Sequence, residues 1–78
     1  MRFDVTVAEG ATETRHDVSL ASSDLKRWAA PGEDPDGFVR RCFEFLLERE
    51  PNESILRRFD VSVIGTYFPE FERDIGRA

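Results

Sequence analysis

Two residues of the chain have side chains that commonly act as a base or a nucleophile near neutral pH. They are His16 and Cys42, the only histidine and the only cysteine. Catalysis by either one needs a partner acid, base or nucleophile. His16 alternates with Val18 and Leu20, which favours a partly buried strand residue bonded to the backbone or to Thr14. Cys42 falls in an apolar helical stripe, where a thiol fills space and its pKa rises. We therefore predict no catalytic residue.

Carboxylates are numerous, sixteen in all, but their spacing fits no metal site. A calcium loop needs oxygen ligands at alternate positions around a glycine and a bidentate Glu further on. The acids nearest to such a pattern are Glu33, Asp34 and Asp36. The completing Glu is missing, because the next candidate, Glu44, lies inside a predicted helix. With no glycine-rich phosphate loop and no Cys/His cluster either, we predict no metal and no cofactor.

A run of aromatic residues is the strongest sign of a binding surface. Tyr67, Phe68 and Phe71 fall within five residues. They cannot all face inward on a short helix, so one side of the run is expected to be exposed. Arg57 and Arg58 precede the run and suit a carboxylate or a phosphate. These five residues form a candidate partner-binding site. The alternative is that the aromatic residues close the edge of a small core and the arginines are merely solvated.

Length and charge limit the classes of function. The 78 residues carry 11 basic and 16 acidic side chains, a formal net charge of -5. A chain of this charge repels a phosphate backbone, which argues against binding to nucleic acid. The length fits one domain over residues 1–78. The chain shows no export signal, no possible internal disulfide and no apolar run near the roughly 20 residues of a membrane span. We expect a cytoplasmic protein that makes no contact with a membrane.

Alternating apolar residues predict a β-hairpin at the start of the chain. The inward positions are Phe3, Val5, Val7, Thr14, His16, Val18 and Leu20. Two registers are open. A turn at residues 9–10 sets Asp4 opposite Arg15. A turn at residues 10–11 sets Asp4 opposite Asp17 instead, so charge favours the first register.

Two helices are predicted next. The first is short, has Ser22 or Ser23 as its cap, and buries Leu25, Trp28 and Ala29. The second is capped by Asp34, has Pro35 in its first turn, and ends before Pro51. Its stripe is wide enough for a central helix and comprises Phe38, Val39, Cys42, Phe43, Phe45, Leu46 and Leu47. We expect the core to centre on Phe38, Cys42, Phe45, Leu46 and Phe59.

The last third of the chain allows more than one interpretation. Asn52 is expected to cap a third helical stretch that contains Ile55, Leu56 and Phe59. Residues 58–63 nearly repeat residues 2–7, which on β propensity favours a third strand. The apolar spacing over residues 61–75 instead fits one side of a helix capped by Asp60, and this interpretation is favoured.

Several short motifs occur in this part of the chain: Phe-Leu-Leu-Glu-Arg-Glu-Pro at 45–51, Ser-Ile-Leu at 54–56, Phe-Asp at 59–60 and Tyr-Phe-Pro at 67–69. In these motifs the chain resembles a small bacterial family of hypothetical proteins, over roughly residues 43–71. The resemblance implies the helical interpretation of residues 60–68, because relatives place a proline shortly after the aspartate. It brings no activity, cofactor or catalytic residue with it. Pro69 is expected either to kink this helix or to begin a final turn.

Together these patterns predict an α+β domain in which a β-hairpin packs against two to three helices. The expected function is that of a non-enzymatic protein-binding or regulatory module. The alternative is a DNA-binding or antitoxin-like dimeric regulator, with Arg2, Thr6 and Arg15 projecting from the hairpin. A homodimer is also predicted, because a two-stranded sheet leaves two edges to cover. It would form by joining sheet edges or by pairing the aromatic surfaces around Tyr67 and Phe71.

Overall fold

The fold is a three-stranded β-sheet with four α-helices, in the part of the chain that the computed structural model describes, residues 1–76. The elements are β1 (Arg2–Glu9), β2 (Thr12–Ser19), α1 (Ser22–Trp28), α2 (Pro35–Leu47), β3 (Arg58–Asp60), α3 (Ile64–Tyr67) and α4 (Phe71–Ile75). Single 3-10 turns precede β3 and α3, at Asn52–Ser54 and Val61–Val63. The predicted α+β class is confirmed.

The hairpin between β1 and β2 closes through Gly10 and Ala11, one residue later than charge pairing predicts. Gly10 has a φ of +60°, the left-handed value required at the first position of a type II′ turn, and Ala11 keeps a negative φ. Asp4 therefore faces Asp17, so the register predicted from charge is wrong. The like-charge pair is tolerated because the Asp17 carboxylate also lies 3.4 Å from the Arg2 guanidinium.

The third strand runs parallel to β2 and pairs Val18 with Phe59. Asp60 ends the strand, and its carboxylate accepts a hydrogen bond from the Ser62 backbone N–H at 3.1 Å. That bond caps the 3-10 turn leading into α3. Both interpretations of this region therefore hold in part: β3 is a strand, and residues 61–67 are helical.

The prediction that Asn52 caps a third helix is wrong. The segment Asn52–Ser54 makes one 3-10 turn without a side-chain cap. The buried Asn52 side chain bonds to the hairpin instead, donating to the Val7 carbonyl at 3.4 Å and accepting from the Thr12 hydroxyl at 3.3 Å. Its backbone N–H donates to the Glu9 carboxylate at 3.1 Å. Tertiary hydrogen bonds satisfy the groups that a local cap would otherwise use.

The central helix begins as predicted. The Asp34 carboxylate accepts from the Gly37 backbone N–H at 2.7 Å, and Pro35 is the first helical residue. The expectation for α1 is wrong, because α1 begins at Ser22 with no side-chain cap, so neither Ser22 nor Ser23 caps it. The backbone N–H groups of Asp24 and Leu25 in its first turn both donate to the Ala21 carbonyl at 3.0 Å.

The core lies between the helices and one face of the sheet. All five predicted core residues are more than nine-tenths buried: Phe38, Cys42, Phe45, Leu46 and Phe59. The helical path breaks at Phe68, directly before Pro69, because a proline disfavours helical backbone in the residue before it. A separate helix, α4, then places Phe71 and Ile75 in the core.

Arg41 on α2 ties two distant segments to that helix. Its guanidinium donates to both carboxylate oxygens of Glu33, at 2.7 and 2.8 Å, and to the Ile75 carbonyl at 2.8 Å. Glu33 also accepts from the Ala30 backbone N–H at 3.0 Å. The hydrogen bonds from Arg41 hold the pKa of the Glu33 carboxyl below its ordinary value.

The substitution Glu33→Gln is expected to lower the free energy of unfolding at pH 7 by about 1–3 kcal/mol, since it weakens charge-assisted hydrogen bonds. A carboxyl group whose pKa is depressed by folding stabilises the fold above its unfolded pKa. That contribution is lost as the pH falls through the folded value. The deficit of Glu33→Gln should therefore shrink between pH 7 and about pH 3, as urea unfolding at both values would show.

Glu13→Gln is the matched control, because Glu13 is an exposed carboxylate on the face of the sheet that points away from the helices. It should change the free energy of unfolding by less than about 0.5 kcal/mol. An equal loss in both variants would contradict the structural role of the Glu33–Arg41 pair.

Candidate functional site

An apolar groove opens between the C-terminal end of α2 and the segment that runs through β3 to α3. We call it the Tyr67 groove. Its volume is about 250 Å³. Its walls are formed chiefly by Leu46, Ile55, Leu56, Val63, Tyr67 and Phe68, with Glu50 and Ser54 as its polar members. The sheet and α2 hold these short segments together, so the groove depends on the tertiary fold.

Exposed apolar surface is concentrated at this groove. Among the described residues, three large hydrophobic side chains are strongly exposed: Tyr67 at 63%, Met1 at 48% and Leu56 at 46%. Two of the three, Tyr67 and Leu56, line the groove. Single exposed apolar residues are common on protein surfaces, but two of them around one concave apolar site make the groove the candidate binding surface.

Leu56 is positioned by His16. The Nδ1 atom of His16 lies 2.7 Å from the Leu56 carbonyl oxygen, and Nε2 lies 2.8 Å from the Thr14 hydroxyl. A carbonyl oxygen can only accept, so Nδ1 carries a proton, and in the neutral ring Nε2 accepts from the Thr14 hydroxyl. His16 is only 2% exposed. The predicted bond to Thr14 is confirmed, and the histidine fixes one wall of the groove.

Tyr67 is exposed because α3 is a single turn. Ile64 at its start is buried, and three residues later the helix ends. The last backbone hydrogen bond of this turn runs from the Phe68 N–H to the Ile64 carbonyl at 2.9 Å. Phe68 is half-buried against the core. The turn therefore places Tyr67 at the rim of the groove and Phe68 at its inner wall.

Glu50 is the only charged side chain among the described residues that line the groove. Burial raises the pKa of its carboxyl above the ordinary value. The neighbouring Arg49 does not neutralise it, because the Arg49 guanidinium contacts Glu70 at 2.9 Å and Asp74 at 3.4 Å. Within residues 1–76 no ion pair involves Glu50. The groove thus holds a partly desolvated carboxylate that a positive charge would stabilise.

The five residues predicted as a partner-binding site do not all come together. Tyr67 and Phe68 line the groove. Phe71 does not, because it is fully buried, with its ring edge-on to Trp28 at 5.4 Å and to Phe45 at 5.1 Å between centroids. The helix break between Phe68 and Phe71 turns the two rings in different directions. Phe71 is therefore a core residue and cannot contact a partner in the folded protein.

Arg57 and Arg58 are both exposed and lie outside the groove. Arg58 is 79% exposed in its side chain, and its guanidinium lies 3.3 Å from the Asp17 carboxylate on the outer face of the sheet. Arg57 adjoins β3, where its backbone carbonyl accepts from the Asp17 N–H at 2.7 Å. Neither arginine forms a common site with Tyr67.

The outer face of the sheet carries charges of both signs. Alternation along β1 and β2 places Arg2, Asp4, Glu13, Arg15 and Asp17 on this face, and Arg58 joins it from β3. Arg2 and Arg58 both lie within 3.4 Å of Asp17, which offsets part of their charge. The residues suggested for DNA contact, Arg2, Thr6 and Arg15, are exposed but interspersed with acids.

Cys42 lies in the core, where burial raises the pKa of its thiol to about 12. A thiol in this state is protonated at neutral pH. In residues 1–76 no group of three side chains of the kinds that bind metals comes together. Nor does this part of the chain contain a helix that is both long and apolar enough to cross a membrane.

Sequence reasoning missed Leu56 and Glu50 as groove residues. The sequence predicts that Leu56 lies in a helical stretch, whereas residues 55–57 belong to no helix in the structure. Glu50 had a recognisable signal, because it follows Leu46 by four residues and so continues the apolar stripe of α2 at helical spacing. An acid in that position is expected to sit beside apolar surface.

Comparison with known proteins finds no match: no protein-family model, no curated protein and no solved structure is significantly similar to this chain. The resemblance over roughly residues 43–71 stays a hypothesis. The geometry and charge of the site are therefore the basis for inferring its function.

Proposed function

We propose that this chain is a non-enzymatic protein-binding module and that the Tyr67 groove is its binding surface. The observation that carries the proposal is the combination of exposed apolar walls at Leu56 and Tyr67 with the unpaired carboxylate of Glu50. The occupant is a segment of a basic partner protein. It inserts one large apolar side chain into the groove and places a Lys or Arg next to Glu50.

The size of the groove supports a side chain as the occupant. Small-molecule and cofactor sites usually have volumes of roughly 300–1,000 Å³ and bury most of their ligand. At about 250 Å³ and open to solvent, the groove is smaller than that range. Protein interfaces, in contrast, are commonly anchored by one or two large side chains in a shallow apolar pocket.

Charge supports a basic partner. The chain has a formal net charge of -5, so it attracts positively charged proteins over distances of about a Debye length. At close range the Glu50 carboxylate, whose ionisation is disfavoured by burial, gains most from a cation. Such complementarity supplies specificity and speeds association.

The environments of the two reactive residues support a non-enzymatic role. Both ring nitrogens of His16 are already hydrogen-bonded, and chemistry at this ring would break the bond that holds Leu56. The Cys42 thiol is enclosed in the core and its raised pKa keeps it protonated. Neither side chain lines the groove.

Selection of random peptides displayed on phage against the immobilised protein tests the proposal. We expect enriched peptides to combine a large aliphatic or aromatic residue with a nearby Lys or Arg. Binding of such a peptide, measured by fluorescence anisotropy, should weaken at least tenfold in Tyr67→Ser and Leu56→Ser. Glu50→Gln should also weaken binding, and its fold should be at least as stable at pH 7, because it removes a desolvated charge.

The matched control is Glu53→Gln, which makes the same charge change at an exposed carboxylate outside the groove and should bind as the original protein does. The contribution of Glu50 should disappear as the pH falls through its raised pKa, while Glu50→Gln shows no such change. Failure to enrich any peptide, or equal binding to Tyr67→Ser and Leu56→Ser, would contradict the proposal.

A further inference from the structure

The outer edge of β1 is open in the described part of the chain, since the strand order is β1-β2-β3. Beyond the end of the strand, the Met1 N-terminus donates to the Leu20 carbonyl and the Leu20 N–H donates to the Met1 carbonyl, both at 2.8 Å. In an antiparallel pair of strands, opposite residues that exchange two backbone hydrogen bonds alternate with opposite residues that exchange none. The odd residues of β1 therefore bond to β2, and the backbone groups of its even residues point toward the open edge.

Of the devices that normally prevent strands from pairing, this edge has only charged side chains, at Arg2, Asp4 and Glu9. The segment Arg2–Glu9 contains no proline and no lysine, and its pairing with β2 runs without a bulge. Beside it, a shallow groove of about 380 Å³ lies between β1 and α2, and it is lined by the half-buried Phe3 and Val5 and by the buried Val39. An eight-residue edge with apolar surface beneath it is suited to accept another strand.

We propose that two copies of this chain pair through β1, antiparallel and about a twofold axis at Val5, to form one continuous six-stranded sheet. The second copy is the occupant of this edge because the strand is complementary to itself. This interface is separate from the Tyr67 groove and does not depend on the function proposed for it.

The register follows from the faces and charges of the strand. Twofold pairing must keep inward residues opposite inward residues, so the axis lies at a residue rather than between two. An axis at Asp4 places like charges directly opposite each other, which is unfavourable. An axis at Thr6 sets Phe3 opposite Glu9. An axis at Val5 sets Phe3 opposite Val7 and Asp4 opposite Thr6, so apolar residues meet on the inner face and a hydroxyl meets a carboxylate on the outer face.

The helix beneath the edge agrees with this arrangement. Asp36 and Arg40 on α2 border the same groove as Phe3 and Val5. A twofold axis through β1 places the two copies of α2 on the same side of the joined sheet. Asp36 of each copy then faces Arg40 of the other, so the contact is complementary in charge.

Sedimentation equilibrium tests the dimer. The unaltered protein is expected to be dimeric at tens of micromolar. Thr6→Asp should raise the dimer dissociation constant at least tenfold, because it sets a carboxylate opposite Asp4 of the other copy at both symmetric positions. Within one chain Thr6 faces Arg15, so the same change favours the hairpin. The double variant Asp4→Lys/Thr6→Asp should restore dimerisation, since opposite charges then face each other, and Asp4→Lys also meets Asp17 in its own hairpin.

Cysteine cross-linking tests the register. With the axis at Val5, oxidation of Val5→Cys should give a covalent dimer on a non-reducing gel, because the two positions lie within the Cα separation of a disulfide. Val7→Cys should not, since its copies lie on opposite sides of the axis. The unaltered protein, whose Cys42 is buried, controls for other cross-links.

Several outcomes would overturn the proposal. One is a mass near 9 kDa that stays constant up to the highest concentration, and another is an unchanged dissociation constant in Thr6→Asp. Cross-linking of Val7→Cys as fast as Val5→Cys would place the axis elsewhere. Loss of the dimer in Tyr67→Ser would assign the interface to the aromatic surface instead.

Discussion

Phe71→Ala is expected to lower the free energy of unfolding by about 3–5 kcal/mol, whereas Tyr67→Ala is expected to lower it by less than about 0.5 kcal/mol. The two aromatic residues are four positions apart and differ in burial. Phe71 is fully buried against Trp28 and Phe45, and Tyr67 is 63% exposed. Truncating Phe71 removes apolar burial and leaves a cavity beneath α4, while truncating Tyr67 mainly removes surface that water already covers.

Urea unfolding followed by circular dichroism measures both changes at one pH. For a domain of this size the total stability is about 4–12 kcal/mol, so Phe71→Ala can unfold much of the population at room temperature. A stabilising osmolyte keeps the variant folded at the start of the titration. Equal losses in the two variants would show that both rings are buried to the same extent and would remove Tyr67 from the proposed binding surface.

The contrast between these two residues also shows where sequence reasoning reaches its limit. The spacing of apolar residues over 61–75 predicts one helical face, and Phe71 and Ile75 do lie in the core. Helical periodicity assumes a continuous axis, however, and Pro69 interrupts it. After such a break the direction of the next side chain depends on packing against α2, which local spacing does not encode.

The prediction of the hairpin register from charge was wrong for a different reason. Charge pairing across a sheet is worth about 0.2–1 kcal/mol for each pair, and surface charges find other partners. The turn demands one residue with a positive φ at its first position, and Gly10 supplies it at little cost. A rule that weighs turn geometry above charge selects the observed register from the sequence alone.

Long patterned elements were predictable and short ones were not. The residue types of Asp34 and Pro35 identified the start of α2. The apolar spacing identified its buried face, because thirteen residues repeat the same pattern. The three-residue strand β3 and the 3-10 turns are too short to show a period. They form because β2 offers an unpaired edge and the hairpin turn offers polar groups to Asn52. The sequence therefore predicts the exposed aromatic run but not the groove that these short segments enclose.

Leu46→Ala is expected to lower the free energy of unfolding by about 2–5 kcal/mol, in the lower half of that range. Leu46 is only 4% exposed and belongs to the core stripe of α2, near the C-terminal end of the helix. It also borders the Tyr67 groove. Part of the space left by the truncated side chain is thus open to water, which reduces the cost of the cavity relative to an enclosed site.

Leu46→Met is the matched control, because it keeps the volume of the side chain and should cost less than about 1.5 kcal/mol. Chemical unfolding of both variants and of the unaltered protein at the same pH gives the two differences directly. A loss below about 0.5 kcal/mol in Leu46→Ala would mean that α2 presents a different face to the sheet. Leu46 belongs to both the core and the groove, so Leu46→Ala also shortens the groove wall against which the apolar side chain of a peptide packs. At temperatures where it remains folded, this variant should therefore bind the selected peptides less tightly than the unaltered protein.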